Sequence, residues 1–458
     1  MSTALPPDSD ATQHVTFHLV ASLMTPGHFR AAWRLPHNHP TDWLSIDRFQ
    51  RLARIADEAG LHAIFLGDTP ALSPDIAHNP GNGIDPLVLL GNLAAITTRV
   101  GVLITSSATY NSPYNLARRF QALDIVTKGR AAVNIVTTYA PDAAANFGLA
   151  EPLDKDTRYR RAYEFLSVVQ GLWDGWEPDA IVEDKAAGIY ADAAKIHSLD
   201  HEGEFFSVAG PLSVPSGPQG WPVVVQAGGS EAGLRLGSEL ADVIFTVAQT
   251  RGKAIAFRDD IRARAAAAGR NPDHVKVSLG VIVLVGETDD DVEERREALL
   301  GTLPIDELAR GLLNSLGLPG RSLDAPIHAD DVPAEPLNAV GSTGFHLSTR
   351  ALLAEHSLSA REFIRHTAGI SAGGHRLVSG TPEQIADDLE AWFKAGAADG
   401  FTIMYADTSV DFERFARLVL PLLIQRGLVK AAEEGATLRE HLALPLPNRR
   451  RAPQPQVR

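Results

Sequence analysis

Two periods of apolar and polar residues alternate along this chain, and their order predicts its elements. Short, nearly continuous apolar runs occur at HVTFHLVASL (14–23), HAIFLG (62–67), VGVLITSS (100–107) and AAVNIVTT (131–138). Four more follow at PVVVQAG (222–228), VIFTVA (243–248), VKVSLGVIVLVG (275–286) and FTIMYA (401–406). Such runs suit parallel strands covered on their outer side, because neither face meets water. Between them the period lengthens to that of a helix. In 45–60, Ile46, Phe49, Leu52, Ala53, Ala56 and Ala59 share one face, and Gly60 supplies a C-terminal stop. Similar amphipathic stretches run 85–98, 114–126, 158–176, 230–241, 252–268, 382–396 and 411–426.

Eight strands alternating with helices predict an α/β fold of the (β/α)8 TIM-barrel type. The rival, a doubly wound open sheet, needs a glycine-rich turn after its first strand. The chain after Leu23 instead reads MTPGHFRAAWRLPHNHP, with no GxGxxG. The expected organisation is one barrel domain over 1–445, followed by a loose Pro- and Arg-rich tail at 446–458. Two gaps, 177–221 and 287–380, exceed ordinary connections and are expected to be insertions that shape the pocket mouth. LGLPGRSLDAP (316–326) and SAGGHRLVSG (371–380) punctuate the second gap. That punctuation suits a loop moving over the mouth, and equally an ordinary static loop.

Composition narrows the function. Hydrophobic residues make up 45% of the 458 and charged residues 21%, enough apolar material for a large core. The net charge of −14 argues against nucleic-acid binding, which wants a basic surface. The absence of cysteine excludes disulfides, zinc knuckles, iron–sulfur clusters and thiol nucleophiles. The N-terminal MSTALPPDSDATQHV has neither a basic start nor an apolar core, and the longest uncharged run, Phe205 to Ser230, is interrupted by prolines and glycines. A cytoplasmic protein without a membrane partner is expected.

Polar residues at strand exits are the candidates for chemistry, because a barrel places its site there. Asp68 follows IFLG; Thr105, Ser106 and Ser107 close the third run; Asn134, Thr137 and Thr138 punctuate the fourth. Each alone is more often a helix cap, but their recurrence suggests a shared ligand met by hydroxyls and amides. In VVVQAGGSEAG (223–233), Gly228 and Gly229 end a buried strand and Ser230 opens a helix. Backbone N–H groups there would face an anion, such as a cofactor phosphate; the alternative is a serine N-cap after a turn. His37-Asn38-His39 resembles the HxH of barrel metallohydrolases. The later strand ends carry Ser, Thr, Gly and Ala, however, so no metal site is expected. HExxH, GxSxG and Walker motifs are absent. His28, just past the first strand, is placed to project into the barrel mouth; the ordinary alternative is a surface or core histidine.

SSATYNSPYNLARRFQALDIVTKGRAAVNIVTTYAPDAAANFGL (106–149) resembles the bacterial luciferase-like flavin monooxygenases, and within them the nitrilotriacetate and dibenzothiophene-sulfone monooxygenase group. AAWRLP (31–36), DTRYRRAYEFLSVVQGLWDGW (156–176), GPQGWPVVVQAGGSEAG (217–233) and SGTPEQIADDLEAWFKAGAADGFTI (379–403) agree in order, as does the ending LVLPLLIQRGLVK with TLREHLAL. The resemblance implies an FMNH2-dependent monooxygenase, the oxygenase of a two-component system supplied by a separate NAD(P)H:flavin reductase. One oxygen atom of O2 would enter a small organic substrate through a flavin C4a-(hydro)peroxide. By position, Asp68 and Thr105 look like isoalloxazine and ribityl neighbours, Tyr159 and Ser230 like phosphate ligands, with Thr137 and Gly229 beside them. Lys155 stands where the family commonly has histidine. His28 is the candidate acid/base or hydrogen-bond donor, and a homo-oligomer (dimer or tetramer) is expected. An enzyme using the deazaflavin F420 on the same barrel, a metal-dependent barrel hydrolase and a non-enzymatic ligand binder are the alternatives.

Overall fold

Eight parallel strands close on one another, and each is the core of one of the eight apolar runs. The computed structural model describes residues 16–447, except 30, 74–75, 79, 81–82, 336–342, 368–373 and 432–434. The strands are β1 (His18–Ser22), β2 (Ala63–Leu66), β3 (Gly101–Ser107), β4 (Ala131–Val136), β5 (Val223–Gln226), β6 (Val243–Thr246) and β7 (Lys276–Val285). After β8 (Arg376–Gly380), β9 (Gly400–Tyr405) completes the ring. Its order is β1-β2-β3-β4-β5-β6-β7-β9 and back to β1, with every pairing parallel. His14 and Val15 of the first predicted run lie outside the described residues.

One strand of the main sheet was not expected. β7 is ten residues long, and pairs with β6 through Lys276–Leu279 and then with β8 through Val281–Val285. β8 is therefore a ninth strand hung on the upper half of β7. Its sequence RLVSG is short and mixed in polarity, which hides it from a search for apolar runs.

Helices seal the outside of the ring. They include α1 (Ile46–Ala59), α2 (Pro86–Ala94), α3 (Pro113–Val126), α4 (Lys155–Trp173), α5 (Glu231–Leu240) and α6 (Arg251–Ala267). The first shows how local sequence sets the ends: the Ser45 side chain accepts from Arg48 N at 3.3 Å, and Gly60 closes the helix at φ 79°. The buried face of α1, Phe49, Leu52, Ala53 and Ala56, joins a cluster that continues through Leu90, Phe120, Phe165 and Ile385. Helix Pro382–Lys394 and the run Thr408–Gln425, which contains a π-helical turn at Phe415–Val419, cover the last strands.

The bottom of the barrel is closed by the C-terminal segment. Leu438, Leu442 and Leu444 are buried against Ala63, Leu103, Val223 and Val243. Leu438 N donates to Gly129 O at 2.8 Å. Beside them the buried Arg439 is paired with Asp242 at 2.9 Å and donates to the carbonyl oxygens of Trp221 and Pro445.

The two long gaps have different contents. Segment 177–221 holds small antiparallel hairpins, Ile181–Asp184 with Ile189–Ala191 and His201–Glu202 with Ser207–Val208. Segment 287–380, expected to be punctuated loop, is largely helical: Asp289–Leu300, Ile305–Ser315, Thr343–Glu355 and Ala360–His366. Leu312, Leu313, Ile327, Leu352, Phe363 and neighbours form a small apolar cluster of their own there. Among the described residues no helix is long and apolar enough to cross a membrane.

Candidate active site

Strand register brings the first candidates together. Thr105 of β3 lies opposite Asn134 of β4, and Asn134 Nδ2 donates to Thr105 Oγ1 at 3.1 Å. The other amide atom, Asn134 Oδ1, is buried without a partner among the described residues. Asp68, at the exit of β2, lines the same cavity of about 290 Å³ as Thr105 and Asn134. Burial raises the pKa of the Asp68 carboxyl, and nearby Asp85 adds to the effect. Ser107 has a different use. Its hydroxyl accepts from Thr109 N, Tyr110 N and, at 2.8 Å, the Thr138 hydroxyl, so this pair holds the turn after β3. Thr137 follows directly on β4, partly exposed at the strand exit.

The turn after β5 forms a second centre. A Cβ added to Gly228 would lie 2.5 Å from the Gln226 side-chain amide and 3.2 Å from the Tyr159 hydroxyl, whereas one at Gly229 would meet nothing within 4 Å. The turn is thus pressed against Tyr159 at its first glycine and open at its second. Ser230 is the N-cap of α5, its Oγ accepting from Gly233 N at 3.3 Å. The N-cap reading of Ser230 holds, and the helix N-terminus it caps still leaves N–H groups for an anion. Tyr159 comes from the second turn of α4. Lys155 opens that helix, exposed and four residues earlier, which places both on one side of it. Arg158, which sequence reasoning did not single out, lies over the Tyr139 ring at 5.7 Å and donates to Leu153 O at 3.0 Å.

His28 is held by backbone and side chain. A Cβ on Gly27 would lie 2.3 Å from Ala406 O, so glycine is required where the loop closes against the end of β9. His28 N then donates to Tyr405 O at 2.8 Å, and its ring Nε2 lies 3.1 Å from Ser22 Oγ. The His375 ring is 6.3 Å from that of His28 and 6.2 Å from Phe245, which lines the same cavity as Asp68. Burial lowers the pKa of His28 to about 3, with His375 contributing, and that of His375 to about 4. Both rings are therefore neutral near pH 7, able to donate or accept a hydrogen bond but carrying no charge. Ser22 and His375 were missed. Ser22 is hidden at the end of an apolar run, and His375 lies about 350 residues from His28 in sequence with no local motif.

That depression has a measurable sign. A group needed in its neutral form and titrating at about 3 leaves kcat unaffected by acidification to pH 5. A limb near the ordinary histidine value of about 6.5 that vanishes in His28→Gln would contradict the burial of this ring. Folding should weaken as pH falls below about 6.5, because the unfolded histidine takes up a proton that the folded one refuses.

The HxH segment serves the scaffold. His37 Nε2 lies 2.5 Å from Asp407 Oδ2, and Asn38 donates to Asp407 Oδ1 at 3.0 Å and to Ala32 O at 2.8 Å. The hydrogen bond to Asp407 raises the pKa of His37 against the opposing effect of burial. The buried Asp411 accepts from Asp407 N at 2.8 Å and pairs with Arg295 at 2.7 Å. Among the described residues no three His, Asp or Glu side chains are grouped to hold a metal ion.

The sequence profile of the luciferase-like monooxygenases matches residues 24–399. The chain belongs to that family. It is 37% identical to nitrilotriacetate monooxygenase component A of Aminobacter aminovorans, over 91% of this chain and 93% of that protein. It is 36% identical to N-acetyl-S-(2-succino)cysteine monooxygenase of Bacillus subtilis (strain 168), over 93% and 96%. Among solved structures, EDTA monooxygenase from Chelativorans sp. BNC1 superposes with a TM-score of 0.79 at 32% identity, covering 94% of this chain and 99% of that one. The chain is thus a luciferase-like TIM barrel and a monooxygenase, an oxidoreductase of the group that the sequence resembled.

Proposed function

We propose that the chain is the oxygenase component of a two-component system, which takes reduced FMN from a separate NAD(P)H:flavin reductase and places one atom of O2 on a small organic substrate. The observation that supports this most is the pairing of two unlike centres at one barrel mouth. One is the upper end of the cavity, where the buried Asn134 amide oxygen has no partner among the described residues; the other is a glycine turn pressed on Tyr159 and opening a helix. A planar heterocycle bearing N–H groups suits the first, and a phosphate suits the second.

In this reading Asn134 Oδ1 accepts from the isoalloxazine edge, with Asp68 and Thr105 beside it. Tyr159 and Ser230 donate to the phosphate, the backbone at Gly229 approaches it closely, Lys155 supplies a positive charge nearby, and Thr137 borders the ribityl chain. Reduced flavin, when bound, supplies the reactivity towards O2. The protein's part is to bind, orient and exclude water. Neutral His28, fixed by Ser22 and the end of β9, holds a proton at its ring for the substrate side of the site.

The phosphate placement is tested by substitution. A hydrogen bond to a charged group contributes about 1.5–3 kcal/mol, so Ser230→Ala or Tyr159→Phe should weaken FMN binding by roughly tenfold or more. Ser230→Asp keeps a capping oxygen but sets a carboxylate against the phosphate, and should weaken binding further while sparing the helix. Anaerobic fluorescence titration reads all three; unchanged affinity in both Ser230→Ala and Tyr159→Phe would sink the assignment.

The partner is tested by turnover. No dinucleotide fingerprint follows the first strand, so the purified chain with NADH and FMN should oxidise NADH negligibly. Addition of an unrelated flavin reductase should start product formation. NADH-driven turnover by the chain alone, with reductase contamination excluded, would contradict the division of labour.

A further inference from the structure

Barrels of this type are ordinarily filled by layers of inward side chains. This one is hollow. In β1, Leu19 and Ala21 are fully buried against the helices, whereas His18 and Val20 between them stay partly accessible and line the cavity. Their accessibility is to the inside of the ring. The cavity of about 290 Å³ runs from the strand starts, at Ala63 and Gly400, to the exits, at Gly67 and Ala227. Small residues explain the space: Ala63, Ala132 and Gly400 stand where larger aliphatics would fill a layer, with valines at Val223, Val225 and Val243.

The wall is apolar, and most of its polar groups are spent on each other. Ser278 and Thr402 hydroxyls are 2.9 Å apart, and Asn134 donates to Thr105 at 3.1 Å. Leu438 and Leu442 of the C-terminal segment form the floor. His18 and Lys276 are the polar exceptions at that lower end, and burial lowers the pKa of each towards its neutral form. His18 Nδ1 is buried without a partner among the described residues, which suits one water at the floor. Between that floor and the upper layer of Asp68, Thr105 and Asn134, the wall of Ala63, Leu103, Ala132, Val223, Val225 and Val243 offers water too few partners, and apolar cavities of this kind stay dry and take up apolar gases.

We propose that the lumen between the strand exits and the C-terminal floor is a binding chamber for dioxygen, which it holds unreduced beneath the cofactor site. The role rests on the monooxygenase reading above; the chamber's existence does not. A dry store of the gas directly below the reacting position would raise its local concentration without opening a path for water.

Xenon is the probe. The full-length protein should bind xenon in the lumen between Ala132, Val225 and Leu442, seen in xenon-pressurised crystals; an empty lumen, or one filled by a column of ordered water, overturns the chamber. Ala132→Leu, with the milder Ala63→Val as a second variant should the first fold poorly, should displace xenon and raise KM for O2 several-fold, with FMN affinity unchanged. A variant that excludes xenon but keeps the parent KM for O2 overturns the functional role. Loss of FMN dependence in the parent would instead defeat the proposed function and leave the xenon result standing.

Discussion

Replacing His28 by alanine is expected to lower product formation by about 10²-fold or more, the usual scale for removing a positioned proton donor or acceptor. FMN affinity should stay within about a factor of two of the parent, since the phosphate and ring contacts assigned above belong to other residues. The ring is placed by a chain of constraints: Gly27 permits the approach to Ala406, Tyr405 O anchors the backbone, and Ser22 fixes one nitrogen. His28→Gln, which keeps a hydrogen-bonding group, should retain more activity than His28→Ala. The discriminating readout is the share of reduced flavin lost as hydrogen peroxide, which should rise in His28→Ala. Full coupling and full rate in His28→Ala would remove this residue from the reaction.

Arg439→Ala should destabilise the fold by about 2–4 kcal/mol, because it empties a buried site in the floor and leaves the largely buried carboxylate of Asp242 without its paired cation. Arg439 is 2% exposed, and Asp242 also accepts from Val224 N at 2.9 Å, so it cannot turn away to water without breaking the start of β5. Urea unfolding would measure the loss. Asp242→Asn, which keeps the bond from the backbone, should cost less than Arg439→Ala. A loss below about 1 kcal/mol, the range of an exposed pair, would mean that the C-terminal segment does not close the barrel as described.

The fold was legible because each barrel strand is an almost unbroken apolar run, with helices of clear period between. Such a pattern follows from burial on both faces, and burial on both faces follows from the ring. What stayed hidden depends on residues far apart. β8 draws its stability from pairing with the upper half of β7, and its own sequence, RLVSG, has no strand signature. His37 and Asn38 meet Asp407, 370 and 369 residues away, so a motif that looks like a metal ligand set is spent on joining two loops. At the site, Asp68 and Thr105 stand out as polar residues at strand exits, and Ser230 as the residue opening a helix after two glycines. Asn134 was equally visible in AAVNIVTT, but its importance lies in one amide atom left without a partner, which only the β3–β4 register reveals. His375 had no signal at all, since it reaches His28 only through the folding of the long segment after β7.

The most direct measurement is a single turnover of the purified chain in 18O2, with chemically reduced FMN in one arm and reduced F420 in the other, each mixed with a pool of candidate small organic substrates. The expected result is substrate-dependent transfer of one labelled oxygen atom into product in the FMN arm, with the second atom in water and no labelled product in the F420 arm. Reduction of a substrate coupled to oxidation of F420, confined to the F420 arm, or product formed without reduced FMN, would contradict an FMNH2-dependent monooxygenase.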